Sequence, residues 1–432
     1  MSPRRGFPEA PIAFILGVGV GALALGLLSK LSLLSGEEDL AHYREVRDFV
    51  LERAVDEPEA DLLVREALSG MLASLDEYSR YLSTDMETSS FNRDTQGSFT
   101  GIGVVFEGPI EGGRILFPMT GSPAEKAGVR VGDLILSVDG VPLEGKSEAE
   151  ARALFTGEAG SSAILELKAL NDTERVAEVT RESVLDPTVR HPHLIDEERK
   201  IGYLALTSFS RETGAEFDRT MTALLEKGMK GLIIDLRGNP GGVLTAAVEI
   251  AEHFITEGVI TKTRGRGESI VYEKQSDGDT PTQSMPLTLL VDGGSASASE
   301  VLAGALQDHR TAVLVGSPTY GKARVQSVHQ FEDANAIVKV TSSYYTTPSG
   351  RDLDRSPERP WGIQPDLELE VDAQTAALIH RHIRRYDPPK SALEALFAWE
   401  EASGTSLLPS DPVDPQLEAA LALLRGEQPK GS

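Results

Sequence analysis

Apolar and polar positions divide the chain into stretches of different period. Residues 11–28 carry no charge. As a helix this run spans about 27 Å, close to the roughly 30 Å hydrocarbon core of a bilayer. Arg4 and Arg5 precede it, and Glu37, Glu38 and Asp39 follow. The positive-inside rule then keeps the amino terminus in the cytoplasm and everything after residue 35 outside, with Lys30 weakening the asymmetry a little. The uninterrupted length favours an uncleaved anchor over a signal peptide cut near Ala22-Leu23-Ala24. Further on, Leu62, Leu63, Ala67, Leu68, Met71, Leu72 and Leu75 recur at helical spacing and predict a packed stripe. Residues 83–96 are polar and read as a linker.

From Gly97 to about Glu182 the apolar runs are short: 103–106, 114–118, 134–138 and 163–169 predict strands of a small β-rich domain. Ser122-Pro123 and Gly128 bracket a short helix between them, and residues 148–155 make another. From Lys200 the pattern becomes α/β. Residues 201–206, 231–236 and 287–291 are apolar runs fit for buried strands, and 336–345 is a further strand. Phe217, Met221, Leu224 and Leu225 mark an amphipathic helix over 213–227, and another runs over about 244–254. Residues 258–280 are polar and read as a hairpin or exposed loop. Beyond residue 372 the chain is helical and polar, with Leu417, Ala420, Leu421 and Leu424 on one stripe.

The 432 residues exceed one ordinary domain, so two or three are expected. Forty-two basic against 67 acidic residues give a net charge of −25, which disfavours a nucleic-acid partner because its phosphates would be repelled. Cysteine is absent, so there is neither a disulfide nor a thiolate zinc site, and the eight histidines show no metal-binding spacing. No metal and no cofactor are expected.

The chemistry concentrates after the 287–291 run. Asp292-Gly293-Gly294 is a turn, and Ser295-Ala296-Ser297-Ala298-Ser299-Glu300 leads into a helix carrying Val301, Leu302, Ala305 and Leu306. A serine at a helix start sits beside free N–H groups and the positive end of the dipole, where an oxyanion is stabilised. It needs a base, and a lysine kept neutral by burial can serve. Lys322 precedes a strand-like run over 324–331, where Lys322, Arg324 and Gln326 would share one face, so Gln326 could orient the lysine amine. The pattern G-x-S-x-G is absent, since Ser295 and Ser299 flank Ser297. His309 and His329 allow a Ser-His-Asp arrangement on paper, but the polar surroundings of His309 point to an exposed side chain. The glycine-rich turn Arg237-Gly238-Asn239-Pro240-Gly241-Gly242 between strand and helix has anion-binding geometry. It lacks the dinucleotide and P-loop motifs.

At these residues the sequence resembles the carboxyl-terminal processing proteases, serine peptidases with an embedded PDZ domain. The run 295–300 and the Gly321-Lys322-Ala323-Arg324-Val325-Gln326 run resemble the family's two motifs, with Ala323 where the family usually has glycine. The resemblance covers roughly 38–425. It implies Ser297 as nucleophile, Lys322 as general base and Gln326 as the residue that positions the lysine. It implies an oxyanion hole from the N–H of Ala298 and of Gly241 or Gly242. Residues 101–140 resemble a PDZ domain, with Gly101, Ile102, Gly103 and Val104 as the loop that cradles a terminal carboxylate; a bound peptide adds as a strand alongside. The implied fold is multidomain α/β (α+β): anchor (1–35), helical segment and linker (36–96), PDZ domain (97–185), a ClpP/crotonase-like α/β tail-specific protease core (186–375) and a helical tail (376–432). The expected function is a membrane-anchored, exported serine endopeptidase of the inner membrane. It would recognise protein substrates by their free carboxyl termini, with a homo-oligomer or adaptor compatible. The competing expectation is a non-catalytic, membrane-tethered PDZ scaffold.

Overall fold

The computed structural model describes residues 38–107, 113–169, 171–278, 282, 284–404 and 412–429. The 11–28 run read as an anchor lies outside these. Among the described residues no helix is long and apolar enough to cross a membrane. The chain divides into two compact units, one ending at Tyr81 and one beginning at Leu82.

The first unit holds a helix over 38–53 and the helix Ala60–Ala73. Leu72 is buried, but Leu62, Met71 and Leu75 are exposed, so much of the stripe that predicted packing stays open to solvent. Asp76 accepts the N–H groups of Tyr78 and Ser79 at 2.8 and 2.7 Å, an aspartate turn in which the side chain mimics a backbone acceptor.

The second unit opens with a helix, Asp85–Gln96, where the polar sequence read as linker. A capping box explains it. Thr84 accepts the Glu87 N–H and Glu87 accepts the Thr84 N–H, while Gly97 ends the helix in the left-handed conformation. The PDZ sheet follows, in the order Val104–Glu107, Gly113–Pro118, Leu134–Val138, Ser162–Lys168, Glu174–Thr180, antiparallel throughout. The last strand escaped the sequence reading because Glu174, Arg175, Glu178 and Thr180 alternate with Val176, Ala177 and Val179 too weakly. Its core includes Ile115, Ile135, Leu165 and Leu167, closed by the helix Glu148–Phe155.

The core sheet runs Val189–Asp196, Ile201–Leu206, Gly231–Asp235, Leu287–Val291, Val313–Gly316, Leu367–Glu368, with the first pair antiparallel and the rest parallel. Its central strands read as continuous apolar runs because both faces are covered. Leu232, Ile234, Leu289 and Val291 pack with residues of the helices Thr213–Glu226, Leu244–Glu252 and Ala298–Asp308. Ile233, Leu290 and Val315 pack with Ile379 and Ile383 of the helix Ala373–Arg384 and with Ala419–Leu421 of the helix Pro415–Arg425. A second sheet contains Arg324–Phe331, Ala336–Thr346, Val259–Arg264 and Ile270–Gln275 in that order, so the last two strands form a hairpin within the stretch read as hairpin or loop. The helix Lys390–Ser403 packs on the PDZ sheet: Trp399, Leu396 and Ala392 cluster with Phe117.

Candidate active site

Gly231–Asp235 and Leu287–Val291 are parallel neighbours, so the turns leaving their carboxyl ends lie side by side, where open α/β sheets place their ligands. The turns are laced together. Ser295 Oγ donates to the Leu236 carbonyl at 2.8 Å, and the Ala296 N–H and Ser299 Oγ both donate to the Asn239 carbonyl at 3.0 Å. Asn239 is wholly buried; its Nδ2 donates to the Leu206 carbonyl, and its Oδ1 accepts the Gly241 N–H at 2.9 Å.

Ser297 stands immediately before the helix Ala298–Asp308 with φ 57° and ψ −114°. A residue with a side chain pays about 1–3 kcal/mol for such a conformation, which persists only where the surroundings enforce it. Here Glu300 enforces it, accepting the Ser297 N–H at 2.8 Å. Glu300 is wholly buried and gathers further donors: Thr319 Oγ1 at 2.6 Å, the Gly321 N–H at 2.7 Å and the Lys322 N–H at 2.9 Å. One carboxylate therefore fixes the backbone of both Ser297 and Lys322. The Tyr345 hydroxyl adds a second tie, lying 2.6 Å from the Lys322 carbonyl and 3.1 Å from that of Ser297.

Lys322 lies just outside the strand Arg324–Phe331, and a register shift between Val325 and Gln326 interrupts the simple alternation expected there. Lys322, Arg324 and Gln326 nevertheless all reach one cavity of about 730 Å³, together with Ser297, Ala298, Gly241 and Gly242. Gln326 Nε2 faces the Arg324 carbonyl at 3.3 Å, and Arg324 is paired with Asp354. Ala323, the departure from the family pattern, is wholly buried, and its carbonyl accepts the Tyr345 N–H at 2.9 Å.

The two turn glycines differ. Gly241 (φ +96°) abuts the serine so closely that a Cβ on it would lie 2.8 Å from Ser297 Cβ and 2.9 Å from the Ala298 nitrogen. Its own N–H, however, is engaged by Asn239. Gly242 (φ +143°) is bridged to Phe209, whose N–H and carbonyl bond Gly241 and Val243. The paper triad does not assemble: His309 caps the far end of the helix that Ser297 begins and bonds the Val259 carbonyl, while His329 packs on Phe331.

Residues 101–104 lie away from this cavity, at the PDZ sheet's edge strand. Gly101 pairs with Glu182 on one side and Thr156 on the other, and Ile102 is wholly buried. Gly103 (φ +73°) must be glycine, since a Cβ would lie 2.5 Å from Ser122 Cβ. Phe106 on the edge strand meets Phe155 edge-on, with Arg152 over its ring.

Glu300 and Tyr345 escaped the sequence reading as parts of the site, and Asn239 was read as a member of the glycine turn without a role of its own. Only Glu300 left a signal: it stands three residues after Ser297, the reciprocal position of a capping box.

Comparison with known proteins agrees with this architecture. The model of peptidase family S41 matches residues 200–369 and that of a PDZ domain matches 116–168. The chain is 32% identical over 315 residues to a CtpA-like serine protease of Staphylococcus aureus, covering 72% of this chain and 61% of that protein. It is similar in structure to a photosystem II D1 C-terminal processing protease, at TM-score 0.44 and 28% identity over 81% of this chain and 92% of the other. To the carboxy-terminal-processing protease of Bartonella bacilliformis it is 31% identical over 435 aligned positions, 96% of either chain. With a likeness that runs through both domains and nearly end to end, the chain belongs to the carboxyl-terminal processing proteases, serine-type peptidases of family S41.

Proposed function

We propose that the chain is a membrane-anchored, exported endopeptidase that cleaves proteins near their carboxyl termini by a Ser-Lys mechanism. The observation that carries this reading is the convergence of Ser297 and Lys322 on one cavity, with both backbones held by Glu300. Uncharged Lys322 takes the Ser297 Oγ proton as the oxygen attacks the scissile carbonyl. Gln326 spends its Nε2 on the Arg324 carbonyl, which leaves Oε1 to accept from the lysine amine and aim its lone pair. The oxyanion is held by the Ala298 N–H and, because the Gly241 N–H is engaged by Asn239, by that of Gly242. Each donor contributes about 3 kcal/mol to the transition state. Lys322 then protonates the leaving amine, and water releases the acyl group from Ser297.

The PDZ domain supplies selection. A substrate tail adds beside the edge strand Val104–Glu107, facing the helix Glu148–Phe155, and the Gly101–Thr156 bridge closes that edge so that the added strand ends at Gly103 and Val104. The 11–28 run anchors the chain in the inner membrane with its bulk on the extracytoplasmic side, and substrates are exported proteins with free carboxyl termini.

The test is cleavage of an unstructured protein, with its carboxyl terminus free or amidated, by wild type, Ser297→Ala and Lys322→Ala. Both variants should be inactive with unchanged thermal midpoints, and amidation should slow the wild type. Full activity in either variant would overturn the mechanism, and indifference to amidation would overturn the role given to the PDZ domain.

A further inference from the structure

The helix Ala373–Arg384 grips the glycine turn from the side away from Ser297, with Arg384 at its end also lining the cavity, and the mechanism above makes no use of it. Two of its residues, one turn apart, converge on Gly238, three positions before Gly241. His380 presents Nε2 to Asp292 Oδ2; a carboxylate only accepts, so this nitrogen carries the hydrogen. The other carboxylate oxygen of Asp292 accepts the N–H of Gly238 and of Gly294, both at 2.9 Å. Asp292 is thus shared by the turn that carries the glycines, the turn that carries Ser297, and the helix. Arg384 completes the grip by donating to the Gly238 carbonyl at 3.1 Å. Both main-chain groups of Gly238 are therefore held, one through Asp292 and one directly.

The fit is steric as well as polar. Gly238 has φ +67°, and a Cβ on it would lie 3.3 Å from His380 Cδ2. A Cβ on Gly294 would lie 2.8 Å from Gly238 Cα, so the two turns touch backbone to backbone at this point. Burial alone would raise the Asp292 carboxyl, but the His380 bond and the two N–H groups outweigh it and hold it below the usual carboxylate range. The side chain of Asp292 is 15% exposed and that of His380 33%, while Arg384 is exposed, so the Asp292–His380 contact is the stronger of the two holds.

We infer that His380 and Arg384 are positioning residues for hydrolysis: acting through Asp292 and Gly238, they set the distance between the Gly242 and Ala298 N–H groups that receive the oxyanion. The inference rests on the oxyanion role given above to that turn. Neither side chain touches the reacting atoms, and losing one loosens the turn by fractions of an ångström. Displacements of about 1 Å in a catalytic constellation cost up to about 100-fold in rate.

The experiment compares wild type, His380→Leu, His380→Gln, Arg384→Met and Arg384→Lys on the full chain, with Ser297→Ala as control. Four quantities are read: kcat, KM, the affinity of a peptide boronate whose serine adduct places an oxygen at the oxyanion position, and the thermal midpoint. For His380→Leu the expected result is a kcat lower by about 10- to 100-fold with KM within about twofold, and boronate affinity weakened in parallel. His380→Gln, which still offers Asp292 a donor, should recover most of both. Arg384→Met should show the same signature more weakly and Arg384→Lys less still. Unchanged kcat and boronate affinity in His380→Leu would overturn the inference while Ser297→Ala remained inactive. So would a fall that tracks the thermal midpoint and touches KM and kcat alike. An active Ser297→Ala, or a wild type that the boronate does not bind, would instead sink the serine mechanism, and this inference with it.

Discussion

At the residue scale the site is governed by Glu300. It accepts four bonds of 2.6 to 2.9 Å from Thr319, Gly321, Ser297 and Lys322 while wholly buried. Glu300→Gln keeps the volume but turns one acceptor oxygen into an NH₂ that faces donors. At least two buried N–H or O–H groups then lose their partner, each costing about 1–3 kcal/mol. The expected outcome is a stability loss of about 2–6 kcal/mol, measured by urea denaturation, together with a fall in kcat larger than that of a surface control. A variant with wild-type stability would show that the carboxylate is not what holds the strained Ser297 conformation. Ser297, Lys322 and Gln326 were legible in the sequence as candidates because each lies in a short motif of residue types suited to hydrolysis. Asn239, Asp292 and His380 were not. Their partners come from turns and helices far away in sequence, and an Asn in a glycine turn or a His on a polar helix is unremarkable until the fold brings them together.

At the element scale, legibility followed burial. Gly231–Asp235 and Leu287–Val291 were readable as strands because helices cover both faces and all positions but Asp235 and Thr288 are apolar or glycine. The helix Asp85–Gln96 was not, because only Thr88 of it is buried and its residues carry little apolar periodicity. What specifies it is its start. Thr84 Oγ1 accepts the Glu87 N–H at 3.2 Å and donates to Glu87 Oε2 at 2.9 Å. The T-x-x-E signature was present in the chain, and composition obscured it. This helix supplies Phe91, Arg93 and Asp94 to the wall of the cavity that holds Ser297 and Lys322, so its cap bears on the candidate site as well as on stability. Thr84→Ala should cost about 1 kcal/mol, read as a lower denaturation midpoint, and Thr84→Ser should restore it. Equal midpoints for all three proteins would mean that packing along the helix, and not its cap, decides whether it forms.

At the scale of the whole molecule, Asp186 joins parts that are distant in sequence. It follows the strand Glu182–Leu185, which pairs with Ser98–Gly101 beside the PDZ domain. It binds Arg93 of the first helix of this unit, Arg190 of the first core strand and the hydroxyl of Tyr386 beyond the helix Ala373–Arg384. Burial would raise its carboxyl, but the Tyr386 hydroxyl and the two guanidiniums more than offset this and hold it below the ordinary aspartate value. The sign of the linkage follows. An unfolded chain takes up the Asp186 proton at about pH 3.9, the folded one only at lower pH. The stabilisation is therefore complete above about pH 3.9 and is lost as pH falls through the folded value. Acid also shrinks the net charge of −25 to zero near pH 4.8 and then builds a positive one, so repulsion across the surface first falls and then returns. The two effects separate by difference. Asp186→Asn shares the surface charge and its titration, so the gap in thermal midpoint between wild type and variant isolates the Asp186 contacts. That gap should be widest from pH 5 upward, close below about pH 4, and persist in high salt because the side chain is 16% exposed. A gap that stayed constant down to pH 2 would mean that Asp186 holds these elements together through packing and neutral hydrogen bonds, and that its charge contributes nothing.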